Sequence, residues 1–137
     1  IDFAKKLHKQ MFNETWSWAG VFRKSQTNIG VDSIYIPQEL KAIFDDVEFW
    51  LSNNTYEMRE IAIRLHHRLV FVHPFPNGNG RFSRLFADLL LQNNNEVSFS
   101  WGSCSLIEDS ITRKQYIAAL KEADIGDYRK LIEFVDS

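Results

Sequence analysis

The segment "HPFPNGNGRFSR", His73 to Arg84, concentrates the chain's chemistry. An imidazole stands at its head, two Asn-Gly steps follow, and two arginines three residues apart close it. Gly78, Asn79 and Gly80 permit a tight, partly left-handed backbone whose successive N–H groups point into one concavity. At a helix start such a nest attracts phosphate, because the leading N–H groups lack acceptors and the macrodipole is positive there. Arg81 and Arg84 lie one above the other at i, i+3 spacing. Two guanidiniums in a first turn oppose the dipole, at about 0.3–1 kcal/mol per contact. A polyphosphate reverses the sign of these terms and suits the forked donors of Arg. The bland alternative is a pair of solvated arginines after a glycine turn. His73, whose ordinary pKa is about 6.5, can accept a proton near neutral pH. A lone helix-ending His is usually structural. Beside a phosphate cradle it points to transfer of a phosphoryl or nucleotidyl group to a hydroxyl.

Mostly helical elements must position these groups. Asp2 is placed to cap a first helix with Phe3, Leu7 and Met11 on one face, and an aromatic segment, Thr15 to Arg23, follows. Lys24 to Pro37 is the one long stretch without helical period, and Ile34 and Ile36 alternate there after Gly30, so it reads as a short hairpin or extended flap. From Gln38 the residues Leu40, Ile43, Phe44, Val47, Trp50 and Leu51 form an apolar stripe. Asn54 and Glu57 have capping-box spacing for the next helix, which runs through Ile61, Leu65 and Leu69 to Val72. Pro74 predicts an extended His73 and stops that helix. Phe82, Leu85, Phe86, Leu89 and Leu90 define another helix, ending at Asn93 to Asn95. Glu96 to Ser105 is irregular. Ser110 is placed to cap a helix through Ile117, Leu120 and Ala123 that Gly126 ends, and Asp127 to cap a last short one. The expectation is an all-α single domain over 1–137 with about six helices and one flap.

Bulk properties narrow the classes. An apolar fraction of 45% over 137 residues supports one real core and argues against disorder. A net charge of -2 leaves no broad basic face for duplex nucleic acid. The single Cys104 excludes an internal disulfide and suits a reducing compartment, the cytoplasm. No apolar run approaches the roughly 18–20 residues that span a bilayer, so no membrane partner is expected. The chain opens on Ile1 rather than Met, which leaves room for an N-terminal segment upstream. His66 and His67 are adjacent on one helix and point about 100° apart, which disfavours a shared metal. His66 is expected half-buried and hydrogen-bonded, the tryptophans to be core, and Cys104 to be structural.

His73, Phe75, Gly78, Asn79, Gly80, Arg81 and Arg84 match seven fixed positions of the pattern H-x-F-x-[D/E]-G-N-G-R-x-x-R, and the segment resembles the signature of the Fic/Doc family. Trp18 to Arg23, "WAGVFR", resembles the segment leading into that family's flap, and Arg113 to Phe134 resembles its C-terminal R-x-x-Y…A-[N/D]-x-G-D pattern. Segments such as "NGNGR" and "NIGV" are similar to a bacterial subgroup called mobile mystery protein B. The resemblance implies a Fic-type helical bundle with a short β-hairpin flap, and AMP transfer from ATP to a Tyr, Ser or Thr hydroxyl of a target protein. By position, His73 is the general base. Gly78, Asn79 and Gly80 line the anion hole, and Arg81 and Arg84 hold the β- and γ-phosphates. Mg²⁺ bridges α- and β-phosphate oxygens. Tyr116 and Asp124 fall at the nucleoside pocket, where an Asp could accept from the adenine amino group. The flap, roughly Thr27 to Ile36 with Asn28, Ile29, Gly30, Val31 and Ile34, is implied to pair in β fashion with the target.

Asn77 departs from the pattern. The family's metal position is Asp or Glu, and Asn offers one neutral carbonyl oxygen where a hard cation prefers carboxylate. Weaker metal dependence or a slower reaction is the expectation. A nucleotide-binding or regulatory module with little turnover is one alternative, and a Doc-like kinase moving the γ-phosphate is another. Gly78 and Gly80 argue against the kinase, because Doc-like members replace part of the glycine run. The family's inhibitory [S/T]-x-x-x-E-[G/N] motif has no match in these 137 residues, which leaves such a segment upstream or in trans, or missing.

Overall fold

A computed structural model describes residues 1–26, 30–102 and 111–136. Six α-helices carry the fold: α1 (Asp2–Phe12), α2 (Ile36–Asn53), α3 (Met58–Val72), α4 (Asn79–Asn93), α5 (Ile111–Asp124) and α6 (Arg129–Val135). The all-α expectation holds. Among the described residues there is no strand. Ser33–Tyr35 is a 3₁₀ turn capped by Asp32, and Ile36 already opens α2 with Pro37 in its first turn. The alternation of Ile34 and Ile36 therefore marks a helix entrance, where the fixed φ of proline is pre-organised for the first turn. Asn28, Ile29, Cys104 and Ser110 lie outside the described residues.

Helix α3 is the axle of the bundle and packs on α2, α4, α5 and α6. Apolar residues on two of its faces explain why. Ile61, Leu65, Leu69 and Val72 join a cluster with Leu7, Leu40, Ile43, Phe75 and Phe82, whereas Ala62 and Ile63 join Ala87, Leu91, Ala119, Leu131 and Val135. Each fully buried Leu or Ile contributes about 1.5–3 kcal/mol, so α3 is held by packing more than by propensity. The small Ala62, Ala119 and Ala123 are buried where α3 meets α5.

Two cap readings are corrected. Asp2 lies inside α1, whose N-cap is Ile1. Asn54 is the left-handed C-cap of α2 at φ 51, and α3 starts from Glu57 with no side-chain cap. Asn tolerates that conformation because its short side chain relieves the steric penalty other residues meet there.

Candidate functional site

His73 ends α3. Its N–H still donates to Leu69 O at 3.1 Å, and its backbone is left-handed at φ 55, ψ 62. The extended conformation expected before Pro74 is therefore wrong. Closing the last helical turn requires the left-handed cap, and this outweighs the local bias. A non-glycine residue held there stores about 1–3 kcal/mol, which marks the position as one the surroundings over-determine. Burial and the nearby Arg23 cation hold the His73 imidazole below its ordinary pKa.

Beyond His73 the loop is braced from within. Asn79 Oδ1 accepts from Phe75 N–H at 2.9 Å, and Asn79 Nδ2 donates to Phe75 O at 2.7 Å. The Asn79 side chain is thus buried in the loop, and what it offers an anion is its backbone N–H. Phe75 is buried, as a plug in the core, and stacks on His8 with ring centres 3.8 Å apart. Gly20 N–H donates to His8 Nδ1 at 2.9 Å. His8 Nε2 must then carry the hydrogen, and it donates to Asn77 O at 3.0 Å. Burial holds His8 below its ordinary pKa, with the Arg81 charge acting in the same sense, so the imidazole is neutral.

The cradle is at the start of α4. Gly78 is left-handed at φ 78, and a Cβ there would lie 2.7 Å from the Phe12 ring. Phe82 N–H to Gly78 O, 2.9 Å, is the first bond of the helical ladder, so the N–H groups of Asn79, Gly80 and Arg81 precede it. Gly80 is helical rather than left-handed. A Cβ there would lie 3.2 Å from Arg84 Nη1, a close contact that a small shift of the guanidinium could relieve. The Arg81 guanidinium sits over Phe12 at 4.7 Å and Trp16 at 5.8 Å, and that of Arg84 lies 5.6 Å from the Tyr116 ring. Among the described residues neither arginine pairs with a carboxylate. Trp16 and Trp18 stack at 4.6 Å and 10° beside His8 and Phe12 and so shore up the loop, while Trp50 and Trp101 pack on the core as expected.

These groups open on one cavity of about 640 Å³, lined by Gly30, His73, the loop from Asn77 to Arg81, Arg84 and one stripe of α5. The α5 stripe is Arg113, Tyr116, Ile117, Leu120, Lys121 and Asp124. At a rise of about 1.5 Å per residue, Tyr116 to Asp124 spans about 12 Å, enough for a nucleoside with its first phosphate. Tyr116 O–H meets His66 Nε2 at 2.8 Å, and burial, with the Arg84 charge, pushes His66 down to about 3. His66, expected half-buried and hydrogen-bonded, is instead fully buried, with Nε2 bonded to Tyr116 and Nδ1 buried without a hydrogen-bond partner among the described residues. At the far wall His67 Nε2 donates to Asp124 Oδ1 at 2.7 Å, and Tyr128 O–H meets His67 Nδ1 at 3.1 Å. His73, Gly78, Asn79, Gly80, Arg81, Arg84, Tyr116 and Asp124 thus share one cavity, with Gly30 of the flap at its edge. Val31 and Ile34 do not line it, and Ile34 is 72% exposed. His67, weighed from sequence only as a metal ligand, lines it too, as do Arg113 and Lys121, which the sequence reading gave no site role. Arg113 had a signal in its R-x-x-Y context; His67 had none beyond lying on α3.

Asn77 Oδ1 is neutral and accepts from Gly78 N–H at 2.8 Å. Among the described residues lining the cavity the one carboxylate is Asp124, bound to His67. This donor set does not fit a protein-held Mg²⁺, which prefers carboxylate oxygen in octahedral geometry.

Comparison with known proteins identifies the fold and its family. The sequence pattern of the Fic/DOC family matches residues 1–91. The chain is 32% identical to protein adenylyltransferase fic-1 of Caenorhabditis elegans over 143 aligned positions, covering 98% of this chain and 26% of that protein. It is 33% identical to protein adenylyltransferase Fic of Drosophila mojavensis, covering 85% of this chain and 22% of the relative. Thus it spans about a quarter of the length of these curated relatives. Among solved structures, Fic-1 (residues 134–508) from C. elegans superposes with a TM-score of 0.78 at 31% identity, over 98% of this chain and 39% of that one. BepC from Bartonella tribocorum, solved with bound AMPPNP, shares the fold, with a TM-score of 0.75 at 20% identity over 98% of this chain and 71% of its own.

Proposed function

The chain belongs to the Fic/DOC family, and from that premise we propose that it transfers AMP from ATP to a hydroxyl side chain of a target protein. One observation carries this reading: a half-buried imidazole and an anion cradle with two arginines that have no carboxylate partner among the described residues open on the same cavity. The β- and γ-phosphates lie against the N–H groups of Asn79, Gly80 and Arg81 and the guanidiniums of Arg81 and Arg84. The nucleoside extends along α5 past Tyr116 toward Asp124. A target hydroxyl oxygen bonds to the α-phosphorus while His73 takes its proton. The bond from the α-phosphorus to the bridging oxygen breaks, and pyrophosphate leaves with the electron pair. Any Mg²⁺ accompanying ATP would have to be held by the nucleotide rather than by this chain's residues, and would neutralise charge on the phosphates.

The partner is a protein segment laid along the flap beside Gly30. An inhibitory acidic segment, supplied from outside residues 1–137, would meet Arg84. The "NGNGR" and "NIGV" segments support the bacterial subgroup, and the single Cys104 supports a reducing cytoplasm. No helix among the described residues is long and apolar enough to cross a membrane.

Asn77 favours a second reading, a nucleotide-binding module that turns over slowly. Incubation with α-labelled ATP and Mg²⁺, alone and with lysate, separates the two. Label entering protein in the wild type and not in His73→Ala supports transfer. Label in neither, with ATP binding intact by calorimetry, supports the module. Intact mass distinguishes an added AMP from an added phosphate, which would indicate the kinase.

A further inference from the structure

Arg23 sits 50 residues before His73 and is 3% exposed. Its guanidinium donates to four carbonyls from three stretches of chain. Nε donates to His73 O at 2.5 Å, Nη2 to Val72 O at 3.1 Å and also to Val31 O, and Nη1 to Ser25 O at 3.0 Å. Its backbone N–H donates to Pro74 O at 2.9 Å. Val72 and His73 close α3, where carbonyls lack helical partners and a cation is favoured. Val31 belongs to the flap, and its own N–H donates to Val72 O at 3.3 Å. Gly30 fits beneath this knot. Its φ is +101, and a Cβ there would lie 2.6 Å from His73 Cβ and 2.7 Å from Arg23 Nη2.

We propose that Arg23 is a positioning residue that locks the Gly30–Val31 end of the flap to His73, so that a target docked there and the proton acceptor keep a fixed separation. Lysine cannot replace this fork, since an ammonium is a point charge with no planar set of five donors. A residue that only capped α3 would leave the flap untouched. The effect on geometry stands on the contacts alone; the effect on rate rests on the transfer reading.

The charge of Arg23 also acts on His73 from behind, with Asp32 of the flap facing Arg23. Across the cavity lie Arg81, Arg84, Arg113, Lys121 and Asp124. Arg23→Gln removes both fork and charge, whereas Arg23→Lys removes the fork and keeps the charge.

The test is amide exchange and histidine-ring titration by NMR on wild type, Arg23→Lys and Arg23→Gln. In both variants the Val31 amide is expected to exchange about tenfold faster, with Leu65 in the middle of α3 within about twofold. The His73 midpoint is expected to rise in Arg23→Gln, and to rise less in Arg23→Lys. Equal acceleration at Val31 and Leu65, or an unmoved His73 midpoint in Arg23→Gln, overturns the proposal. Gly30→Ala keeps Arg23 and presses on the same knot, and covers the case in which the Arg23 variants fail to fold. It should speed Val31 exchange likewise, and unchanged exchange there would also overturn the proposal. With labelled ATP, both Arg23 variants should lose about tenfold in transfer while ATP affinity stays within about twofold. A wild type that transfers no label sinks the transfer reading, and the NMR measurements still decide the role of Arg23.

Discussion

His67 Nε2 donates to Asp124 Oδ1 across 2.7 Å, and this bond ties α3 to α5 at the far wall of the cavity. Tyr128 holds the other ring nitrogen, so the Asp124 carboxylate faces the cavity in a fixed orientation. The Asp124 side chain is 40% exposed, which leaves it free to accept from an amino group on a nucleobase. A hydrogen bond to a charged group contributes about 1.5–3 kcal/mol. Asp124→Ala is therefore expected to weaken ATP about ten- to a hundredfold while leaving tripolyphosphate binding unchanged. Calorimetry with both ligands checks this, and equal weakening would remove Asp124 from base recognition.

Arg84 and Asn79 should separate binding from folding. Arg84 has no carboxylate partner among the described residues, so Arg84→Ala should shift Tm by no more than about 2 °C. Its ATP affinity should fall at least about tenfold, because charge-assisted bonds to phosphate are lost. Asn79→Ala strands both the N–H and the carbonyl of buried Phe75. That variant should lose about 3 kcal/mol, or about 10 °C in Tm. Thermal melts beside calorimetry test the pair, and an inverted pattern would make Arg84 structural.

The pH profile follows from His73. A general base must be neutral to act, and both burial and Arg23 lower its pKa. As pH falls, the neutral form therefore persists further than for a free imidazole. The acid limb of transfer should have its midpoint below the ordinary value of about 6.5. A midpoint at or above that value in the measured rate profile counts against His73 as the base. His73→Ala should lose about 10²–10⁴-fold in rate with ATP affinity retained.

Asn77→Asp tests the metal. The aspartate can still accept from Gly78 N–H, and His8 holds only the backbone carbonyl, so the loop should keep its shape. A unit charge 4 Å from a cation is worth up to about 4 kcal/mol per cation charge at an effective dielectric of about 20. The Mg²⁺ concentration for half-maximal transfer should fall by about tenfold or more. Superimposable Mg²⁺ titrations would show that position 77 does not meet the ion.

The cradle was legible because it is local: Gly78 to Arg84 is one short run whose glycines, cations and helix start have independent physical meanings. Helices α2, α3 and α4 were legible from their apolar period, and their packing followed. What escaped sequence reading came through long-range contacts. His8 reaches the loop across 69 positions, Arg23 reaches His73 across 50, and His67 reaches Asp124 across 57. No local pattern marks those pairs, and a buried His or Arg is ordinarily an anomaly until the fold supplies its partners. The His73 backbone was misread for the same reason: proline sets a local bias, and the helix cap overrode it. The partly left-handed turn read from the glycines is supplied by Gly78, while Gly80 is helical; a glycine signals either a special φ or a need for room, and sequence alone does not separate the two.

The stacked indoles of Trp16 and Trp18 give the loop an optical voice. The two rings lie 4.6 Å apart at 10° between planes, close enough for their electronic transitions to couple, while the Arg81 cation sits 5.8 Å from the Trp16 ring. An anion that draws Arg81 toward itself lifts that charge from the ring. An anion bound at the start of α4 is therefore expected to change the protein's own fluorescence and circular dichroism, with no dye attached.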